Sequence, residues 1–113
     1  MSRFDPARSL TKAEALAAVP GPDGKRYREI FRHGSLQVEI YRPAGTDPQS
    51  PHTRDEAYVV IGGTGTFVIQ EDRLAFGPGD FLFAPARVPH RFEDFSDDFA
   101  VWVLFYGPEG GER

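Results

Sequence analysis

The sequence predicts an all-β fold, an antiparallel β-barrel or jelly roll with a short helical arm at its N-terminus. From Tyr27 onward, short apolar and β-branched runs alternate with glycine, proline and aspartate turn signals. Spacers long enough to hold a helix between strands do not occur there, which argues against a parallel α/β sheet. With 113 residues, the chain has room for one domain with its own core.

The first residues differ from the rest and predict the arm, residues 1–24, ahead of a barrel domain, residues 25–113. Thr11 and Glu14 match a capping box at the start of a helix, and Pro20 ends that helix after about two turns. A helix this short is not stable alone, so its apolar side chains should pack on the main body or on a neighbouring subunit. These side chains are Leu10, Leu16 and Val19.

Eight strands are predicted in the barrel domain. They are Tyr27–Arg32, Leu36–Arg42, Ala57–Ile61, Thr66–Gln70, Arg73–Phe76, Asp80–Ala84, His90–Glu93 and Phe99–Tyr106. The segments 81–83 and 101–105 lack alternating polar residues, so both of their faces need a cover. A second subunit or the arm would supply it, and we therefore expect a homodimer; alternatively, the two sheets close over their own ends.

Composition and charge exclude several classes of function. The absence of cysteine excludes disulfides, thiolate metal sites and cysteine nucleophiles. The 13 basic and 17 acidic residues are interspersed and give a net charge of −4, so nucleic acid is not an expected partner. The N-terminus lacks the apolar run of a signal peptide, and the longest apolar run, 101–106, is too short to span a bilayer. We expect a cytoplasmic protein that does not contact membranes.

Two of the three histidines lie where they could bind a metal with a carboxylate. His52, Glu56 and His90 offer the nitrogen and oxygen donors that divalent metals use. Glu56 shares its strand face with Tyr58 and Val60, and a carboxylate directed into a barrel is costly unless a cation compensates it. Alternatively, arginines pair with Glu56 while the histidines bond to backbone groups. The third histidine, at position 33, is predicted in an exposed turn.

The spacing of these residues resembles the cupin superfamily. His52, three residues, Glu56, six residues and Gly63 resemble the first cupin motif, and Pro78-Gly79, ten residues and His90 resemble the second. The resemblance implies a cupin barrel and carries over His52, Glu56 and His90 as metal ligands. The family's remaining histidine is replaced by Ser50, and the neighbouring Gln49 is a candidate fourth ligand.

The function expected from this site is that of a metal-dependent enzyme acting on a small molecule. Iron, manganese, zinc and nickel all suit the donor set. The resemblance is compatible with dioxygenases, isomerases, epimerases and decarboxylases. Tyr58, Arg54 and Arg91 are candidate substrate-binding residues, with core packing or surface charge as alternative roles. Two other functions stay open: a module that binds or senses a sugar or anionic metabolite, and an assembly protein whose site has decayed.

Overall fold

The computed structural model describes residues 9–113, which form one short helix followed by eight strands. Each strand ends within two residues of its predicted bounds. The elements are α1 (Lys12–Ala17), β1 (Tyr27–His33), β2 (Leu36–Tyr41), β3 (Asp55–Gly62), β4 (Gly65–Ile69), β5 (Asp72–Phe76), β6 (Phe81–Ala84), β7 (His90–Glu93) and β8 (Ala100–Tyr106).

The strands form two antiparallel sheets. One sheet has the order β1-β2-β8-β3-β6, and the other has the order β5-β4-β7. Strand β3 lies between β8 and β6, with Glu56 opposite Phe105 on one side and Ala84 on the other. This arrangement confirms the predicted antiparallel barrel of jelly-roll type, and it brings β3 and β7 from different sheets to the same interior.

The main core lies between the two sheets and is rich in aromatic side chains. Tyr58 from β3 packs edge-on against Phe92 from β7, with ring centroids 5.1 Å apart. Phe67 from β4 lies 5.4 Å from Phe92. All three rings are buried. Burial of this apolar area is the main favourable term for the fold, and the packed rings fix the strands that carry the site.

The helix covers the outer face of the larger sheet. Its capping box forms as predicted, with Thr11 Oγ1 accepting from the Glu14 backbone N–H at 3.1 Å and the Glu14 side chain accepting from the Thr11 backbone N–H. Ala15 and the following Val19 pack in a second apolar cluster with sheet residues. The sheet residues of this cluster include Ile40, Ala100 and Trp102. Residues 1–8 of the predicted arm lie outside the described residues.

Strand β6 departs from the expectation that both of its faces are covered. Phe81 and Phe83 keep 65% and 38% of their surface exposed, whereas Leu82 between them is buried. The apolar run therefore has one buried face, because the helix covers the β2 and β8 part of the sheet and not its β6 edge. Within residues 9–113, no helix has the length and apolarity needed to cross a membrane.

The turn between β3 and β4 depends on the glycine that ends the first motif. Gly63 has a φ of +86°, which residues with a side chain rarely adopt. A Cβ atom at this position would lie 2.5 Å from the Phe99 Cα. Glycine is therefore required both by the turn and by the approach of the segment that leads into β8.

Candidate metal centre

Three donor atoms converge inside the barrel. Glu56 lies on β3 and faces inward, His90 begins β7, and His52 precedes β3. Glu56 Oε1 is 3.0 Å from His90 Nε2 and 3.7 Å from His52 Nε2. The donor atoms of the three residues all lie within 4.8 Å of one another.

The centre is closed on one side and open on the other. The side chains of Glu56 and His90 are 2% and 1% exposed, while that of His52 is 38% exposed. The His90 ring is packed by aromatic neighbours, with centroids 6.1 Å from Tyr58 and 6.2 Å from Phe67. The His52 ring packs edge-on against Phe105 at 5.0 Å. Access to the centre is therefore from the His52 side.

The hydrogen bonds of His90 indicate how a cation would fit. Its Nδ1 lies 2.8 Å from the Val88 carbonyl oxygen, which only accepts, so Nδ1 carries a proton. Burial disfavours the charged ring, but the bonds to Glu56 and to the Val88 carbonyl outweigh it and raise the pKa of His90. Nε2 thus faces Glu56 Oε1 at 3.0 Å, and a shared proton or a bound cation between the two atoms would keep their lone pairs from opposing each other.

The spacing of the donors also suits one metal ion. Two ligand atoms at about 2.1 Å from an ion lie about 3.0 Å apart at right angles and about 3.4 Å apart at the tetrahedral angle. The observed spacings from Glu56 to His90 and His52 are 3.0 and 3.7 Å. The chain thus has a possible divalent metal site at His52, Glu56 and His90, without a preference for one metal.

Gln49 is held beside the site by a buried carboxylate, Asp47. The Gln49 amide nitrogen donates to Asp47 Oδ2 at 2.5 Å, which directs the amide oxygen the other way. That oxygen is 3.4 Å from the Tyr58 hydroxyl. Asp47 also accepts from the Tyr41 hydroxyl, the Gln49 backbone N–H and the Phe92 backbone N–H. One carboxylate therefore ties the loop after β2 to β7 and orients two side chains.

A cavity of about 720 Å³ adjoins the centre. Of the three donor residues, His52 lies on the cavity wall, so the cavity adjoins the centre on the His52 side. The other wall residues used below are Tyr27, Glu39, Tyr41, Gln49, Arg54 and Phe105. Its volume is in the range of pockets that hold small organic ligands.

The three predicted substrate-binding residues lie in different surroundings. Tyr58 is buried in the core, and burial together with the charges of Glu56 and Asp47 raises its pKa. Arg54 lines the cavity, but its guanidinium donates to the carbonyl oxygens of Gly107 and Ser35. Arg91 is not brought to the site. Strand alternation places it on the opposite face from His90, where it is half exposed and pairs with Glu93.

The structure adds contacts that sequence reasoning missed. The C-terminal residues 109–113 are bonded to the segment that carries the donors. Asp55 is buried and accepts from the backbone N–H groups of Ala86 at 2.9 Å and Glu112 at 2.7 Å. The Gly110 N–H donates to the Thr53 carbonyl oxygen. Aspartate next to proline or to a strand start is common in turns, so neither Asp47 nor Asp55 has a distinctive sequence signal.

Two curated proteins are similar to this chain in sequence. A relative from Streptomyces coelicolor, the uncharacterized protein SCO3923, is 31% identical over 100 residues, which are 87% of this chain and 95% of the relative. The dimethylsulfoniopropionate lyase DddQ of Ruegeria pomeroyi is 31% identical over 70 residues, which are 60% of this chain and 35% of that protein.

A solved structure and a family model are also similar to this chain. A chain from the crystal structures of the DMSP lyases RdDddP and RnDddQII is 26% identical, with a TM-score of 0.62. The superposition covers 89% of this chain and 55% of that one. The model of the cupin domain matches residues 37–106, which include both motifs and all three donors. The chain therefore belongs to the cupin family.

Proposed function

We propose that this cupin is a metal-dependent enzyme that acts on a small organic molecule at a divalent ion held by His52, Glu56 and His90. The observation that carries the proposal is the convergence of three donors, one of which, His52, also lies on the wall of a cavity of about 720 Å³. Gln49 is proposed as a further ligand, because it lies on the same cavity wall as His52 and Asp47 binds its amide nitrogen, which leaves the amide oxygen as the end that can bind an ion. The identity of the metal is left to measurement.

The ion, when bound, would supply Lewis acidity to a substrate oxygen. The other residues have roles that follow from their contacts. Tyr58 keeps its hydroxyl proton at neutral pH, as an ordinary tyrosine does, and its raised pKa extends this to higher pH; the hydroxyl donates to the Gln49 oxygen. Phe105 and the aromatic core behind His90 exclude water from the buried side. Arg54 shapes the cavity wall through its bonds to Gly107 and Ser35.

The reaction class we favour is a lyase reaction. Two of the compared proteins are dimethylsulfoniopropionate lyases, and the sequence match to DddQ covers 60% of this chain. The match covers only 35% of DddQ, so that compound is a candidate substrate here and not an assigned one. The dioxygenase, isomerase, epimerase and decarboxylase reactions predicted from the sequence stay predictions.

The test begins with the metal. Protein purified without an affinity tag should contain about one divalent ion per chain by elemental analysis, and His90→Ala should contain none while staying folded. His33→Ala is the matched control, because His33 is an exposed residue at the end of β1 and lies outside the donor set. Full metal occupancy in His90→Ala would contradict the ligand assignment.

Turnover is measured next, with dimethylsulfoniopropionate as the first compound and its consumption followed by NMR. We expect turnover in the metal-loaded protein and none in His90→Ala. Metal-loaded protein that consumes none of this compound would remove the lyase proposal for it and leave the metal assignment intact.

A binding module is the second candidate. Most of the cavity wall comes from residues outside the donor set, so a ligand could be held without any reaction. Calorimetry distinguishes the two functions: a module would bind a ligand tightly and return it unchanged, with an affinity that survives His90→Ala.

We also propose a homodimer and a cytoplasmic location. The exposed side chains of Phe81 and Phe83 on the β6 edge support a dimer, since exposed aromatic side chains are often covered by a partner. A stable interface buries at least about 1,000 Å². Light scattering should give twice the chain mass, and Phe81→Ser should shift the protein toward the monomer. A wild-type monomer at micromolar concentration would contradict this proposal.

A further inference from the structure

Glu39 lies on the cavity wall with three basic residues, Lys25, Arg26 and Arg54, whose positive groups bind elsewhere. It is half-buried on β2, on the same strand face as Gln37 and Tyr41. Its Oε2 accepts from the Gln37 side-chain amide at 2.8 Å. In the part of the chain that the structure describes, no lysine, arginine or histidine nitrogen comes within 4.0 Å of its carboxylate.

The neighbouring charges make this position more negative. Glu29 lies directly opposite Glu39 on β1, but Glu29 is paired with Arg32. Burial, together with the charges of Glu56 and Glu29, raises the pKa of Glu39. A carboxylate in such surroundings lowers the stability of the folded protein unless something binds to it. A residue that costs stability in a cavity wall is a candidate for ligand recognition.

Two further wall residues are fixed as hydrogen-bond acceptors. The Tyr41 hydroxyl donates to Asp47, so its oxygen has only lone pairs left for a ligand. The Gln49 amide group also donates to Asp47, which leaves its oxygen on the side of Tyr58. Tyr41 and Glu39 thus offer accepting oxygen atoms on the cavity wall, while the Gln49 oxygen is turned toward Tyr58, and Tyr27 and Phe105 add aromatic residues to the wall.

We propose that Glu39 determines the specificity of this site by binding the positively charged end of a small organic cation. The inference rests on the proposed function, since it names the substrate class of the same cavity. A cation is favoured over a neutral hydroxyl group because it can pair with the Glu39 carboxylate, which none of the three basic wall residues does. Aromatic faces beside a carboxylate also attract ammonium and alkylated onium groups.

An organic cation fits this wall better than a second metal ion. A metal site needs several converging donors, and the only group of three or more histidine or acidic side chains found among residues 9–113 is the one at His52, Glu56 and His90. Glu39 is not part of that group. The cavity of about 720 Å³ is also far larger than an ion requires.

The test compares ligands that differ only in charge. β-Alanine and butyrate differ by an ammonium in place of a methyl group, and glycine betaine and tert-butylacetate differ by a quaternary nitrogen in place of carbon. Binding to the metal-loaded wild-type protein is measured by calorimetry. In at least one pair, the zwitterion should bind about tenfold more tightly than the carboxylate that lacks the positive group, a difference typical of one charge-assisted contact. The two pairs distinguish an N–H donor from an alkylated onium group.

The variant Glu39→Gln should remove the preference for charge and leave the metal content unchanged. Glu29→Gln is the matched control, since Glu29 is the cross-strand partner of Glu39 but does not line the cavity. Equal binding of both members of each pair, or no binding of any member up to about 10 mM, would overturn the assignment of Glu39. So would a preference that survives in Glu39→Gln. Failure of the proposed enzyme would show separately, as missing metal or missing turnover in the same samples.

Discussion

The substitution Asp47→Asn tests the buried carboxylate on which the cavity wall depends. Asp47 accepts four hydrogen bonds, two at each oxygen. Oδ1 accepts from the Tyr41 hydroxyl and from the Gln49 backbone N–H at 3.3 Å. Oδ2 accepts from the Gln49 side-chain amide at 2.5 Å and from the Phe92 backbone N–H at 2.8 Å. Asparagine has the same shape, but one oxygen becomes an NH₂ group that only donates.

The loss of stability in Asp47→Asn depends on which of the hydrogen-bond donors to Asp47 can turn away from the new NH₂ group. The Tyr41 hydroxyl can rotate, whereas the backbone N–H groups of Gln49 and Phe92 cannot. The NH₂ group therefore meets a fixed donor in either orientation, and the longer bond, to Gln49, is the cheaper one to lose. One backbone bond is lost, and the bonds that remain no longer involve a charged acceptor. We expect a loss of about 2 kcal/mol in the free energy of unfolding.

Urea and thermal denaturation measure this loss. For a domain of this size, about 2 kcal/mol corresponds to a fall in Tm of roughly 8 °C. Tyr41→Phe is the matched control, because it removes only the rotatable donor and should cost about 1 kcal/mol. If Asp47→Asn lowers the stability no more than Tyr41→Phe does, Asp47 is not the anchor of this loop.

Three further outcomes are expected. His90→Ala should lower the stability of the metal-free protein by about 2–4 kcal/mol in urea denaturation, because Glu56 stays buried without its partner; an unchanged midpoint would contradict this. Gly111→Ala should lower Tm more than Gly45→Ala, since both positions have positive φ but only at Gly111 would a Cβ lie 2.9 Å from Asp55 Oδ1; equal losses would show that the tail contact contributes nothing. Glu39→Gln should stabilise the protein increasingly as pH rises. The pKa of Glu39 is raised in the folded protein, so the stability that the protonated Glu39 contributes to the wild-type protein is present below its ordinary pKa and is lost as pH rises through the pKa of the folded state. Glutamine does not titrate, so the variant does not lose this stability. A gain that is the same at pH 5 and pH 8 would refute this reasoning.

Local patterns in the sequence determined the secondary structure and the donors. Strand runs and turn residues act over a few residues, so the eight strands were predicted within two residues at each end. The capping box at Thr11 and Glu14 is equally local and formed as predicted. The two motif spacings singled out His52, Glu56 and His90, and alternation along β3 and β7 explains why Glu56 and His90 face inward, while His52 lies before β3. The same alternation explains why Arg91, next to His90, faces outward.

Only the tertiary structure decided what surrounds the donors. The bonds of Asp47 to Tyr41 and Phe92 join residues that are 6 and 45 positions away, and no local pattern encodes such a pairing. The cover of the larger sheet was also undetermined, because an apolar strand face indicates that it is buried but not by what. The helix covers Trp102 and leaves Phe81 exposed. A helix of six residues is short, and its length, not the apolarity of the strands, limits the area of the sheet that it can bury.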